Sequence, residues 1–251
     1  MKTCIVKHRM LMKTVILLLT ASLLLCVTGC KNNGDTPDAK PDEEQTTPTT
    51  AGTIELPLEE QMESIDLGNE LAITDIGKYT GIYMEDGSDE VVTNMLMLIL
   101  KNNNTQDLQL ARIELIYDDF TAEFEVTNLP AGEHVVLLER NRHEFVQYPP
   151  RGATAKNVVF FEESMGLCED RVKLTGSRGS IQIENLTDQP LGETYVYYKN
   201  SAVDILYGGI TYRARVEAGL EPGASTNVMT GHYNPDTCTI VNVQILEPVS
   251  E

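Results

Sequence analysis

The chain of 251 residues contains no tryptophan, and aromatic residues make up only 6% of it. Basic residues are also scarce, with 19 Lys and Arg against 38 Asp and Glu, so the formal net charge is −19. Proteins that bind the phosphate backbone of nucleic acids need clustered Lys and Arg, and this composition excludes that class. The sequence has no polybasic stretch, which argues against electrostatic attachment to an anionic membrane surface.

Motifs of common catalytic and cofactor sites are missing as well. There is no Gly-x-Ser-x-Gly or Ser-x-x-Lys nucleophile motif and no glycine-rich phosphate loop. His143-Glu144 begins a pattern like that of metalloproteases, but Gln147 stands where the second histidine is required. The acidic run Glu85–Glu90 lacks EF-hand spacing and is interpreted as a solvated hairpin tip. We therefore predict no catalysis, no metal site and no cofactor.

The N-terminal residues have the pattern of a secretory signal. Residues 1–13 are basic, and residues 14–27 are mostly apolar. This run is shorter than the roughly 20 residues of a membrane-spanning helix but suits a signal peptide. The segment ends in Val27-Thr28-Gly29-Cys30, which resembles the lipobox of bacterial lipoproteins. The resemblance implies that residues 1–29 are a lipoprotein signal peptide and that Cys30 receives diacylglycerol. The protein would then be anchored in the cell membrane and face outside the cytoplasm.

The residues after Cys30 predict a disordered tether over 30–53. They are rich in Asn, Asp, Thr, Pro and Gly and contain almost no bulky apolar side chain, so they cannot offset the entropy of ordering. Residues 54–69 are an ambiguous lead-in segment. Ile54, Leu58, Met62 and Ile65 recur at helical spacing, yet the segment could equally be extended.

From residue 70 onward the hydrophobic period is two, which predicts β-strands with one face on a core and one in water. Met95–Leu100 is apolar on both faces and is predicted to be a central strand that is covered on both sides. Turn signals such as Tyr207-Gly208-Gly209 separate the runs. The clearest alternating runs are Ala111–Tyr117, Ala122–Val126, Ile181–Ile183, Tyr212–Glu217 and Val241–Ile245.

Two parts of the chain repeat one pattern. In each part an Asn-x-Thr sequence follows a predicted strand. It is Asn103-Asn104-Thr105 in the first part and Asn185-Leu186-Thr187 in the second, so that Thr105 corresponds to Thr187. Leu129–Gly132 and Leu220–Gly223 each lead into a later strand. The spacing between the Thr and the Gly of these patterns is longer in the second copy, which predicts an additional segment around residues 204–212. We therefore predict an all-β protein with two β-sandwich domains, at 70–165 and 170–248.

These strand–Asn-x-Thr–strand and Leu-x-Pro-Gly-like patterns resemble the small immunoglobulin-like domains found in tandem on bacterial surface lipoproteins, of the FxLYD type. The FxLYD signature itself is absent, so the resemblance implies only the fold and brings no catalytic residues. The predicted architecture is two tandem immunoglobulin-like β-sandwich domains after a disordered tether.

Two groups of residues are candidates for further roles. An aromatic binding surface is predicted from the five tyrosines of the second domain, with Tyr195 and Tyr197 on one strand face and Tyr198 on the other. Cys168 and Cys238 could meet in a disulfide, which an oxidising compartment permits, or remain separate thiols. The five tyrosines are Tyr195, Tyr197, Tyr198, Tyr207 and Tyr212.

The sequence favours a lipid-anchored surface protein that displays β-sandwich modules. Its partners would be the membrane, through the lipid, and an unidentified protein or cell-wall polymer, with no nucleic acid. Its acidity favours a basic or neutral partner. The alternative is a ligand or glycan receptor that uses the tyrosine-rich second domain, and a third is an envelope hydrolase with an unrecognised site.

Overall fold

The computed structural model of the chain describes residues 52–56, 63–88 and 90–246. The predicted signal peptide, the lipidated Cys30 and the predicted tether up to residue 51 lie outside these residues. The described residues all belong to one compact unit. Within the described part, no helix is long and apolar enough to cross a membrane.

The described residues form fourteen β-strands and no helix, which confirms the predicted all-β class and fits a β-sandwich. The strands are β1 (Thr53–Glu55), β2 (Ile65–Asp66), β3 (Leu71–Ile82), β4 (Val91–Asn102), β5 (Leu108–Ile116), β6 (Thr121–Leu129), β7 (His134–Leu138), β8 (Gly152–Phe160), β9 (Val172–Ser177), β10 (Ser180–Asn185), β11 (Glu193–Ala202), β12 (Ile205–Val216), β13 (Ser225–Met229) and β14 (Cys238–Leu246).

One large sheet runs through the molecule and two small sheets pack against it. The large sheet has eight strands in the order β1-β3-β4-β7-β12-β11-β14, with β2 also paired to β3. The small sheets are β6-β5-β8 and β13-β10-β9. Strands β7 and β12 pair in parallel, with Val135 opposite Leu206 and Val136 opposite Tyr207. This pairing joins the first half of the chain to the second through backbone hydrogen bonds.

The two halves use the same pairing order. In the first half, β3 pairs with β4, β4 with β7, and β5 with both β6 and β8. In the second half, β9 pairs with β10, β10 with β13, and β11 with both β12 and β14. The predicted boundary falls between β8 and β9, but the large sheet continues across it. The division into two domains at 70–165 and 170–248 therefore remains a prediction.

Each half has its own hydrophobic core between the large sheet and a small one. Leu98 and Phe124 belong to the first core, and Val196 and Ile183 to the second. Strand β4 also contributes Met95 and Met97 to a third cluster on the other face of the large sheet. The prediction that Met95–Leu100 forms a central strand covered on both sides is therefore confirmed.

Two local predictions need correction or completion. The tether is predicted to extend to residue 53, but Thr53 already begins β1 and pairs with Thr80. In the lead-in segment, Ile54, Glu55, Ile65 and Asp66 are extended and pair with β3, so the helical alternative does not hold for these residues. The backbone hydrogen bonds to β3 outweigh the helical spacing of a few apolar residues.

The predicted turn at Tyr207-Gly208-Gly209 is wrong. Strand β12 continues through these residues, and the chain reverses at Asp204, which has a φ of 60°. Between the pairs Tyr198–Tyr212 and Asn200–Tyr207 the register shifts, so residues 208–211 bulge opposite Lys199. The bulge contains two glycines. At Gly209 only glycine fits, because a Cβ there would overlap the backbone carbonyl of Glu125.

Candidate functional site

An open cleft of about 640 Å³ lies where the outer faces of the two halves meet. The β6-β5-β8 sheet supplies one wall, and the β12-β11-β14 part of the large sheet supplies the other. Although the protein is strongly acidic, no lining residue carries a formal charge at neutral pH. The lining consists of the four amides Gln109, Asn128, Asn242 and Gln244, the hydroxyl residues Thr127 and Thr211, the aromatics Tyr197 and Phe161, and the aliphatics Leu110 and Val159.

Hydrogen bonds fix part of this lining. The Oγ1 atoms of Thr127 and Thr211 lie 2.9 Å apart and tie the two walls together. The Tyr197 hydroxyl donates to Oε1 of Gln244 at 3.1 Å, and Oδ1 of Asn242 accepts the Gly166 N–H at 3.1 Å. Both amides therefore keep their NH₂ groups as donors.

The other two amides are uncommitted. Among the described residues, the side chains of Gln109 and Asn128 have no hydrogen-bond partner. Gln109 is exposed and Asn128 half-buried. The cleft therefore offers donors and acceptors that protein contacts do not already saturate.

The five tyrosines of the predicted binding surface do not form one surface. Tyr198 and Tyr212 stack in the second core, with ring centroids 5.3 Å apart, and Tyr207 packs against the third cluster. Tyr195 and Tyr197 share the outer face, as predicted, with centroids 6.4 Å apart. Of the five, Tyr197 lines the amide-lined cleft.

Tyr195 lies among charged side chains beside the cleft. The guanidinium of Arg213 sits 4.7 Å from the centroid of its ring. A hydrogen bond to Glu193 raises the pKa of the Tyr195 hydroxyl, and Glu193 also forms a salt bridge with Arg215. This end of the outer face is therefore charged, whereas the cleft next to Tyr197 is neutral.

A buried polar junction connects the two halves behind the cleft. The ammonium of Lys199 donates to three successive carbonyls of the bulge, those of Gly208, Gly209 and Ile210, at 3.1, 2.9 and 2.8 Å. On the other side of the bulge, the N–H groups of Gly209 and Ile210 donate to the carboxylate of Glu85. The bulge thus lies between the amine of Lys199 in the second half and the carboxyl group of Glu85 in the first.

Burial sets the ionisation of this junction. Lys199 is fully buried, and desolvation lowers its pKa from 10.5 to about 7, while the carboxylate of Glu85 opposes the shift. Desolvation also raises the pKa of Glu85, against the effect of the N–H donors of Gly209 and Leu138 and of Lys199. The carboxylate of Glu85 borders a second recess of about 250 Å³, which shares Thr127 and Thr211 with the cleft.

The position of Glu85 corrects the interpretation of the acidic run as a solvated tip. Asp86 and Glu90 remain exposed and form salt bridges with Arg142, but Glu85 turns inward. The N–H groups of the bulge provide the reason, because they have no ladder partner and a carboxylate satisfies them. Among the described residues, no three His, Cys, Asp or Glu side chains are grouped to hold a metal ion.

His143 lies beside a buried carboxylate. Its Nδ1 is 3.2 Å from Oε2 of Glu139, although the two atoms are not aligned for a hydrogen bond. Glu139 already accepts the backbone N–H groups of Glu123 and His143, and the His143 ring stacks on Phe120 at 4.5 Å. These contacts hold a loop in place, and neither residue lines the cleft or the Glu85 recess.

Cys168 and Cys238 are not joined in a disulfide. Both contact β14, but at different points. Sγ of Cys168 lies 3.5 Å from the Val243 carbonyl, whereas Cys238 is the first residue of the strand and lies 3.4 Å from Oδ1 of Asn200. Val243, which Cys168 contacts, and Cys238 are five residues apart on β14. This spacing corresponds to about 16 Å along the strand, so Cys168 lies too far from Cys238 for a disulfide.

The fold and the cleft define the class of this protein as an all-β sandwich with an uncharged, amide-lined cleft on its outer surface. No protein-family model, no curated protein and no solved structure matches the chain. Sequence reasoning found Tyr197 and missed the amides. Gln109, Asn128, Asn242 and Gln244 come from three different strands, and no local motif connects them.

Proposed function

We propose that this protein is a lipid-anchored binding protein of the cell envelope. It displays two tandem immunoglobulin-like β-sandwich modules outside the cytoplasm and contacts a protein or an envelope polymer without catalysing a reaction. Cys30 carries the lipid, and the tether after it allows the folded part to contact partners at some distance from the membrane.

The cleft is the observation that carries the binding role, whereas the anchor rests on the lipobox-like residues Val27-Thr28-Gly29-Cys30. Its ten lining residues include hydrogen-bonding side chains and two aromatic rings, but no carboxylate, imidazole, amine or thiol. A Tyr or Thr hydroxyl needs a neighbouring base to act as a nucleophile, and no such base lines the cleft, whereas binding needs only complementary donors, acceptors and apolar surface. A role in binding therefore accounts for the lining better than a role in catalysis.

The continuous sheet supports display of a rigid surface. The parallel β7–β12 pair and the contacts of Gly209 and Ile210 with Glu85 fix one half against the other. The cleft walls belong to different halves, so this attachment also fixes the width of the cleft. A preorganised cleft reduces the entropy that is lost when a ligand binds.

The anchor and the binding role need separate tests. For the anchor, full-length protein is expressed in a bacterium with lipoprotein processing, and its membrane fraction is measured. Cys30→Ser should release the protein from the membrane or leave it unprocessed. Cys26→Ser, a cysteine of the apolar run that does not follow two small residues, is the matched control and should remain anchored. Equal processing and equal fractionation of the two variants, with the mass of each mature protein measured, would overturn the anchor.

For the binding role, the tagged full-length protein is cross-linked in native envelopes and purified. The expected result is stoichiometric recovery of one protein or one envelope polymer, which is reduced in a Tyr197→Ala/Gln109→Ala variant. Tyr195→Ala is the control, because Tyr195 shares the outer face but does not line the cleft. Recovery of neither a protein nor a polymer would overturn the proposed function.

A further inference from the structure

We infer that the amide-lined cleft is a binding site for an uncharged oligosaccharide. This inference rests on the proposed function and assigns the ligand class of the same cleft. Its volume of about 640 Å³ falls within the range of roughly 300–1,000 Å³ that is common for small-ligand sites.

The hydrogen-bonding groups fit hydroxyl groups. A side-chain amide offers donors and an acceptor next to each other, and a sugar hydroxyl can use both. Gln109 and Asn128 keep their whole amides available, whereas Gln244 and Asn242 keep their NH₂ groups. The orientation of these two amides is set by Tyr197 and by the Gly166 N–H, so their donors are positioned before a ligand arrives.

The aromatic groups fit the apolar face of a sugar ring. Tyr197 is half-buried, and its hydroxyl is held by Gln244, which restrains the ring at the cleft surface. Phe161 is also half-buried and belongs to the opposite wall. An aromatic ring provides a flat apolar surface against which the C–H groups of a sugar can pack, while the amides bind the hydroxyl groups.

Other ligand classes fit the lining less well. Phosphates and carboxylates need a cation or a cluster of N–H donors, and no Lys, Arg or His lines the cleft. A lipid chain would leave four amides and two hydroxyls without partners, which is costly. An extended peptide binds through backbone hydrogen bonds at a sheet edge. The edge strands β6, β8 and β14 also line the cleft, so an uncharged peptide is the competing ligand class and is included in the test.

The test uses the full-length protein in a detergent without a sugar headgroup. Maltotriose, cellotriose and chitotriose are the probes, and a neutral hexapeptide of Gly, Ser and Asn is the competing class. Saturation-transfer NMR detects binding at millimolar ligand, and titration gives the dissociation constant. We expect at least one trisaccharide to bind, and Tyr197→Ala and Gln109→Ala each to weaken it by about tenfold or more.

Tyr195→Ala is the matched control and should change the dissociation constant by less than about twofold. Gln109 is exposed, so its variant keeps the test valid if Tyr197→Ala fails to fold. The inference is overturned if no trisaccharide binds, if binding is unaffected by both cleft variants, or if only the peptide binds in a Tyr197-dependent manner.

The two proposals can fail separately. If the trisaccharides do not bind but a cleft variant still reduces recovery of an envelope partner, the ligand class is wrong and the binding function stands. If a trisaccharide binds to the cleft but the anchor test fails, the site stands and the location of the protein is wrong.

Discussion

Asn102 and Asn185 make the same hydrogen bonds at equivalent positions of the two halves. In each case Nδ2 donates to the carbonyl four residues later and to the carbonyl of a leucine, Leu129 or Leu220. The Oδ1 atom accepts the backbone N–H two residues later. Both side chains are fully buried, so each asparagine connects two crossing loops inside its half.

Replacement of either asparagine by alanine should destabilise the protein by a similar amount. Asn102→Ala or Asn185→Ala leaves buried carbonyls without a donor, and we expect each to lower the free energy of unfolding by about 2–4 kcal/mol. Urea unfolding followed by circular dichroism measures this. The neighbouring Asn103 is exposed, so Asn103→Ala should change it by less than about 0.5 kcal/mol. A neutral result for either buried asparagine would show that the two loops are not held in this way.

The ionisation of Lys199 should give the protein a pH-dependent stability. Its pKa is about 7 in the folded protein and 10.5 in its ordinary state, so the unfolded chain binds more protons between these values. Stability from this group therefore increases as pH rises from 7 towards 10. The slope cannot exceed about 1.4 kcal/mol per pH unit, which is the value for one proton.

Lys199→Met in a Glu85→Gln background tests this effect, because Glu85 and Lys199 act on each other's pKa and the single variant would also change the ionisation of Glu85. The double variant lacks the titrating amine, so the unfolding free energy of Glu85→Gln minus that of the double variant should grow between pH 7 and pH 9.5. Burial raises the pKa of Tyr79 and Tyr83 to about 12, but these tyrosines act mainly above pH 10 and are present in both proteins. A difference that stays constant over this range would mean that Lys199 keeps an ordinary pKa.

Gly209 should tolerate no larger residue. A Cβ there would overlap the Glu125 carbonyl, and the clash involves backbone that cannot move alone. We expect Gly209→Ala to lower the free energy of unfolding by about 3 kcal/mol or more. At Gly166 a Cβ would meet nothing within 4 Å, so Gly166→Ala is the control and should unfold like the native protein. Equal midpoints in urea for the two variants would disprove the close approach of β12 to β6.

The strands could be predicted because their side chains alternate. Tyr195 and Tyr197 lie on the outer face, and Val196 and Tyr198 lie in the core, as a period of two requires. The sequence also predicts the repeat, but the predicted register is wrong by one residue. The sequence pairs Thr105 with Thr187, whereas the hydrogen bond of Asn104 to Asn102 shows that Asn104 is the residue equivalent to Thr187.

The cleft and the buried junction could not be predicted for a physical reason. An amide on the outer face of a strand, such as Gln109 or Gln244, looks like any solvated polar residue until the pairing order brings two sheets together. Lys199 and Glu85 are likewise typical surface residues in sequence. The bulge in β12 explains why Lys199 and Glu85 point inward. Its backbone carbonyl and N–H groups have no partner strand, and the two side chains form hydrogen bonds with them.

The two cysteines should behave as separate thiols with different reactivity. Denaturation without reductant, followed by alkylation and peptide mass spectrometry, should label both Cys168 and Cys238. In the native protein Cys168 should react first, because it is half-buried, whereas Cys238 is only 7% exposed and burial raises the pKa of its thiol. A reduced sample is the control and should give the same labelling after denaturation. A linked Cys168–Cys238 peptide would require the segment before β9 to move along β14 by about five residues, and would therefore disprove the contact between Cys168 and Val243.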